Sequence, residues 1–194
     1  MIRTGGTIEN PVTGERITFL TTAADTEGEA VIIETLVQPN GFVASTHVHP
    51  VQSERFAVST GRLGLKIGRE RLTLESGDIA TVEPGTAHRF WNAGESPVRF
   101  VCEIRPALQF ESLLETMFAL AADGKTGRKG MPGPFRLAVI AQAHFDTVRL
   151  PFPPAWAQRA GLALGAPLGR LAGYEPTYQA DPASSGAVPL LGSE

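Results

Sequence analysis

The sequence predicts an all-β domain of the jelly-roll kind, a barrel or a sandwich, followed by an α-helical extension. Three observations lead there. Up to Pro106 the chain is rich in Thr, Val, Ile and Gly, and apolar residues alternate with polar ones in short runs. Gly or Pro recurs in that part at the spacing of tight turns, with no helix-length stretch between. After Pro106 the apolar period lengthens to that of a helix.

Alternation is clear over Arg62–Ile67 and again over Arg71–Leu74, and Gly68-Arg69 between them reads as a hairpin turn. Glu83-Pro84-Gly85-Thr86 suits a type II turn, whose third position needs φ > 0. Val98, Phe100, Cys102 and Ile104 share one face of a strand over Val98–Arg105. About nine or ten short strands are expected before Pro106. Beyond it, Phe110, Leu113, Leu114, Met117 and Leu120 form one helical face, and Gly124 is a stop. A glycine-rich loop follows, and Pro134 opens a second helix to about Val148, apolar on most sides and expected to be buried. Pro153-Pro154 begins a third helix, which Gly161, Gly165 and Pro167 should keep short or kinked. The expected organisation is a barrel over 1–106, a helical extension over 107–172 packed on the barrel or on a dimer partner, and a mobile tail over 173–194.

Composition narrows the function classes. With 42% hydrophobic and 19% charged residues among 194, the chain is not disordered, collagen-like or a coiled coil. A net charge of −3 recommends no nucleic-acid partner. No apolar run approaches the roughly 20 residues of a membrane helix. Cys102 is the single cysteine, and Met1–Asn10 lacks the apolar core of a secretion signal, so a cytoplasmic location is expected.

The chemistry gathers at histidines. His47 and His49, two apart on a strand, project to one face; Pro50 ends the pairing, and a bend at Gln52-Ser53 lets Glu54 return towards the same interior. By the same alternation His88, Phe90 and Asn92 share a face. The pattern Gly41-x5-His47-x-His49-x4-Glu54-x6-Gly61 resembles the first signature of the cupin superfamily. Gly77 to Asn92, with Pro84-Gly85-x2-His88-x3-Asn92, resembles the second. One departure is Glu83, where that family often has proline. The resemblance implies a cupin-type jelly-roll barrel over roughly the first 106 residues. It also implies that His47, His49, Glu54 and His88 hold one divalent metal. Imidazoles with one carboxylate suit Fe, Mn, Ni, Cu, Co or Zn, and a single carboxylate leaves the ion net positive, favouring an anionic oxygen ligand. The competing reading, polar residues satisfied only by one another, makes an expensive interior.

Phe56, Val58 and Phe90 share parity with these residues and are expected to make an apolar pocket, although Phe90 also suits plain core packing. Gln52 is a solvated loop residue or a donor to a bound oxygen, and Glu83 is an acid or base only if its turn aims it inward. Cys102 reads as an inert buried thiol, and His144 as a satisfied core or interface histidine. Lys125, Arg128 and Lys129 read as a solvated loop or an anion site. The expected function is a metal-dependent non-haem oxygenase, of dioxygenase type, on a small oxygen-bearing organic molecule. Its alternatives are a non-catalytic small-molecule-binding or sensory protein, and a metal-dependent isomerase or lyase on the same site. A homodimer is expected, because strand edges and outward aromatics such as Trp91 need cover and the resemblance to cupins, which commonly dimerise, implies it.

Overall fold

A computed structural model describes residues 2–180, so the end of the expected mobile tail lies outside the described residues. The alternating runs become antiparallel strands: β1 (Thr7–Asn10), β2 (Glu15–Thr21), β3 (Val31–Val37), β4 (Ser53–Thr60), β5 (Leu63–Ile67), β6 (Glu70–Leu74), β7 (Ile79–Val82), β8 (His88–Asn92) and β9 (Val98–Arg105). Six pair in the order β1-β2-β3-β9-β4-β7 and three in the order β6-β5-β8. The hairpin glycine Gly68 sits at φ 58° and the turn glycine Gly85 at φ 77°, the left-handed region their turns require.

Burial follows the pleat. Val98, Phe100, Cys102 and Ile104 of β9 point inward and meet Val31, Ile33 and Phe56 in one core between the sheets. Each such side chain contributes roughly 1.5–3 kcal/mol on burial, so the barrel does not depend on a metal for its stability. Burial holds the Cys102 thiol well above its ordinary range, which makes it inert. At Gly64 the missing Cβ matters: one built there would lie 2.1 Å from the Trp91 ring, which crosses β5 at that point.

The extension contains α1 (Phe110–Ala122), α2 (Pro134–Ala143) and α3 (Ala155–Leu171). α2 ends sooner than its apolar run suggested. The chain turns at His144, whose carbonyl accepts from the N–H groups of Thr147 and Val148, and Arg149 then exchanges two backbone hydrogen bonds with Val48 of the barrel. A helix continued to Val148 would forfeit that pairing. Nor is α2 buried on most sides: Val139 and Ile140 are its buried residues.

α3, expected to be short or kinked, runs for 17 residues. Two of its three glycines, Gly165 and Gly169, serve packing rather than interruption. A Cβ on Gly169 would lie 2.5 Å from the Phe135 carbonyl oxygen, and one on Gly165 would lie 3.3 Å from Ala138 Cβ, so both let α3 approach α2 closely. Of the segment expected to be mobile, the described residues Gly173–Ala180 are tied to the helices. Tyr178 N–H donates to Thr116 Oγ1, its hydroxyl donates to Asp123, and Arg136 stacks on Tyr174 and Tyr178. The described residues contain no helix long and apolar enough to cross a membrane.

Candidate metal centre

His47 and His88 stand opposite each other across an isolated bridge, each backbone N–H donating to the other's carbonyl. Directly opposed residues of an antiparallel pair present their side chains to the same face. Pleat parity adds His49 from the same side. β4 then returns beneath, with Glu54 beside Ile104 in register. The three rings sit with centroids 4.3–5.5 Å apart. One ligand atom from each of His47, His49, Glu54 and His88 lies within 4.8 Å of all the others. Donors about 2.0–2.2 Å from a common ion lie up to about 4.4 Å apart, so the four atoms are gathered to nearly that spread.

The tautomers follow from the partners. His47 Nδ1 lies 2.9 Å from the Ser45 carbonyl, His49 Nδ1 2.6 Å from the Thr147 carbonyl, and His88 Nδ1 2.9 Å from the Thr86 carbonyl. A carbonyl only accepts, so each Nδ1 carries the proton and each Nε2 presents a lone pair. His49 Nε2, His88 Nε2 and Glu54 Oε2 are all buried without a hydrogen-bond partner. His88 Nε2 lies 2.5 Å from Glu54 Oε2. Orphaned lone pairs around one point are costly unless a cation satisfies them. The set fits a divalent ion.

The charges agree. Burial, reinforced by the neighbouring His88 and His49, holds the His47 imidazole down at about 3, so it is neutral. Burial alone would raise Glu54, but the surrounding imidazoles outweigh it and hold the carboxyl at about 2. Burial would likewise lower His88, yet the adjacent Glu54 carboxylate outweighs it and raises it.

Above the cluster lies a cavity of about 190 Å³. Phe56 and Phe90 line it, as do His47, His49 and Glu54. Val58 does not: it is buried in the core, because the mutually packed rings of Phe56, Phe90 and Phe100 fill the barrel at that depth. The helical extension forms the other wall through Phe110, Leu113 and Met117 of α1 and Ile140 and Val148 around α2. Arg55 and Arg89 point to solvent, and Arg99 pairs with Glu34 on the surface.

Gln52 is neither solvated nor free to meet a ligand. It is buried, and its amide N–H₂ donates to the carbonyls of Pro106 (2.9 Å) and Ala107 (3.1 Å), which turns its Oε1 towards His49 Nδ1 at 3.1 Å. Glu83 is exposed on its turn and lies away from the cavity. Two groups escaped notice, Thr147 behind His49 and Glu15 on the cavity wall. Thr147 acts through a backbone carbonyl, which leaves no mark in sequence. Glu15 had a signal: it falls in phase with the inward residues Ile17 and Phe19 of β2. Burial raises its carboxyl to about 7, against a single hydrogen bond from Thr13 Oγ1.

Residues 33–103 match a family model described as a cupin domain. A curated oxidoreductase of Arthrobotrys oligospora is 34% identical over 96 residues, 43% of this chain and 38% of that protein. The match thus spans about two fifths of that relative's length. Among solved structures, a Klebsiella pneumoniae protein with a double-stranded β-helix domain is 23% identical, covering 56% of this chain and 84% of that one at a TM-score of 0.42. A predicted oxalate decarboxylase of Thermotoga maritima is 17% identical, covering 55% and 98% at a TM-score of 0.49.

Proposed function

We propose, for a chain that residues 33–103 make a member of the cupin superfamily, that the cavity is the active site of a metal-dependent oxidoreductase. The reading is a non-haem oxygenase of dioxygenase type acting on a small oxygen-bearing organic molecule. One observation carries it: three Nε2 lone pairs, each ring fixed from behind by a carbonyl, and one carboxylate converge at the end of an apolar cavity that helices cover. A redox-active dication held by His47, His49, Glu54 and His88 supplies Lewis acidity and one-electron chemistry there.

The protein's own groups do the rest. The single carboxylate leaves the site net positive, which draws an anionic oxygen of the ligand to it. Phe56, Phe90, Phe110 and Met117 take the apolar body of the molecule and keep water from it. Gln52 and the Thr147 carbonyl hold the His49 ring in one orientation. The oxidoreductase relative supports the same class. A reducing, cytoplasmic setting suits the single buried thiol, and a homodimer belongs to the same proposal.

Elemental analysis of protein purified without added metal, followed by oxygen-uptake measurements on catechols, enols and hydroxy acids, tests it. About one iron, manganese, nickel or copper per chain and oxygen consumption that a chelator abolishes are expected. Zinc alone, without uptake, would replace the oxygenase with a binding protein. Product formed without oxygen consumption would replace it with an isomerase or lyase.

A further inference from the structure

Six buried side-chain polar atoms among the described residues have no hydrogen-bond partner. Three belong to the metal cluster. Of the other three, His144 Nε2 alone belongs to a residue on the cavity wall. His144 is buried at the C-terminal end of α2, and its Nδ1 lies 3.0 Å from the Ile140 carbonyl. That partner only accepts, so Nδ1 carries the proton and Nε2 is a bare lone pair. Burial lowers the imidazole further, which keeps it neutral. The backbone at this residue also holds the turn that brings the Thr147 carbonyl to His49. An acceptor left unsatisfied in such a place costs roughly 1–3 kcal/mol, unless something that enters the cavity donates to it.

We propose that His144 Nε2 is the polar anchor of this cavity, accepting a hydrogen bond from a hydroxyl or N–H group of the bound molecule. The ligand class is then a small, mostly apolar molecule with a donor group, a phenol or enol rather than a hydrocarbon. Selection against a molecule lacking the donor follows, because that molecule leaves the lone pair unpaired. The inference rests on the cavity being a ligand site, as proposed above, and not on the metal or its redox chemistry.

Phenol and benzene are a matched pair for the test. They differ by one hydroxyl, and an apolar cavity of about 150 Å³ is already large enough to take up benzene. Affinities are measured by calorimetry on the chelator-treated and the zinc-loaded protein, with metal content determined alongside. The parent should bind phenol more tightly than benzene. His144→Phe should weaken phenol about tenfold and leave benzene within twofold, while His144→Gln, which restores an acceptor, keeps most of the phenol affinity. In the parent labelled with ¹⁵N-histidine, phenol should shift the His144 Nε2 resonance and benzene should not, a readout that needs no variant to fold. Equal affinities for the two probes in the parent, an unmoved resonance, or no phenol binding in either form would overturn the assignment. Discrimination that depends on His144 in protein that never acquires metal would leave this inference standing and remove the metal reading instead.

Discussion

A histidine ligand is set as much by the atom behind it as by the ion in front. Three backbone carbonyls, from Ser45, Thr86 and Thr147, fix the tautomers of His47, His88 and His49. Strand parity put His47 and His49 on one face, and the resemblance to the two cupin signatures added Glu54 and His88 to them. Neither could show Thr147, which lies 98 residues from His49, or the two carbonyls that turn Gln52 inward. His49→Ala should strip most of the metal while the circular dichroism of the barrel is unchanged. Gln52→Leu, which keeps every ligand, should weaken metal binding by about 10–100-fold on titration with a competing chelator. Full metal content in a His47/His49 double alanine variant would remove the four-ligand assignment. Glu15 makes a separate prediction. Its carboxyl titrates near 7 when folded and near 4.5 when unfolded. Below 4.5 both states hold the proton. Between the two values only the folded state keeps it, so stability falls as pH rises through that window and stays low above 7. Glu15→Gln should therefore unfold at a higher temperature than the parent at pH 8, by up to about 3 kcal/mol, and show no such advantage at pH 4. Parallel pH profiles for the two proteins would contradict a buried, uncompensated carboxyl.

At the scale of elements, the strands were legible and the helix ends were not. Alternation in β5, β6 and β9 is a local property, and the turn glycines between them mark where each strand stops. The end of α2 is decided elsewhere, by Val48 pairing with Arg149. The persistence of α3 through three interior glycines and Pro167 is likewise a tertiary effect, since the close approach to α2 at Gly165 and Gly169 offsets their poor propensity. Two glycines of the same helix separate propensity from packing. Gly161 is exposed, and a Cβ there meets nothing within 4 Å, so Gly161→Ala should stabilise by up to about 1 kcal/mol. Gly169→Ala gains the same propensity but drives a Cβ against the Phe135 carbonyl and Val139, and should cost roughly 1–3 kcal/mol. Thermal unfolding of the pair decides it: equal shifts would mean that α3 does not seat on α2 as described.

For the whole molecule, the question is what covers the apolar surface that remains. Trp91, one of the outward aromatics expected to need cover, finds it within the chain. Its ring lies over Gly64, with the Arg71 and Arg89 guanidiniums 5.3 and 5.7 Å from its centroid. Among the described residues, the most continuous stretch of uncovered apolar surface lies on α3 instead. Trp156, Leu164, Leu168 and Leu171 are 75%, 76%, 54% and 85% exposed, and their spacing of 8, 4 and 3 residues puts them on one side of the helix. Full burial of each contributes roughly 1.5–3 kcal/mol, and two copies of the stripe meeting would set that against roughly 4–15 kcal/mol of lost translational and rotational freedom. On this balance we predict a homodimer closed through α3. Light scattering at micromolar concentration should give twice the chain mass. Leu164→Glu with Leu168→Glu should halve it without changing the metal content, because neither residue touches the cavity. A parent that scatters as a monomer would remove the dimer, and a dimer indifferent to both substitutions would move the interface off α3.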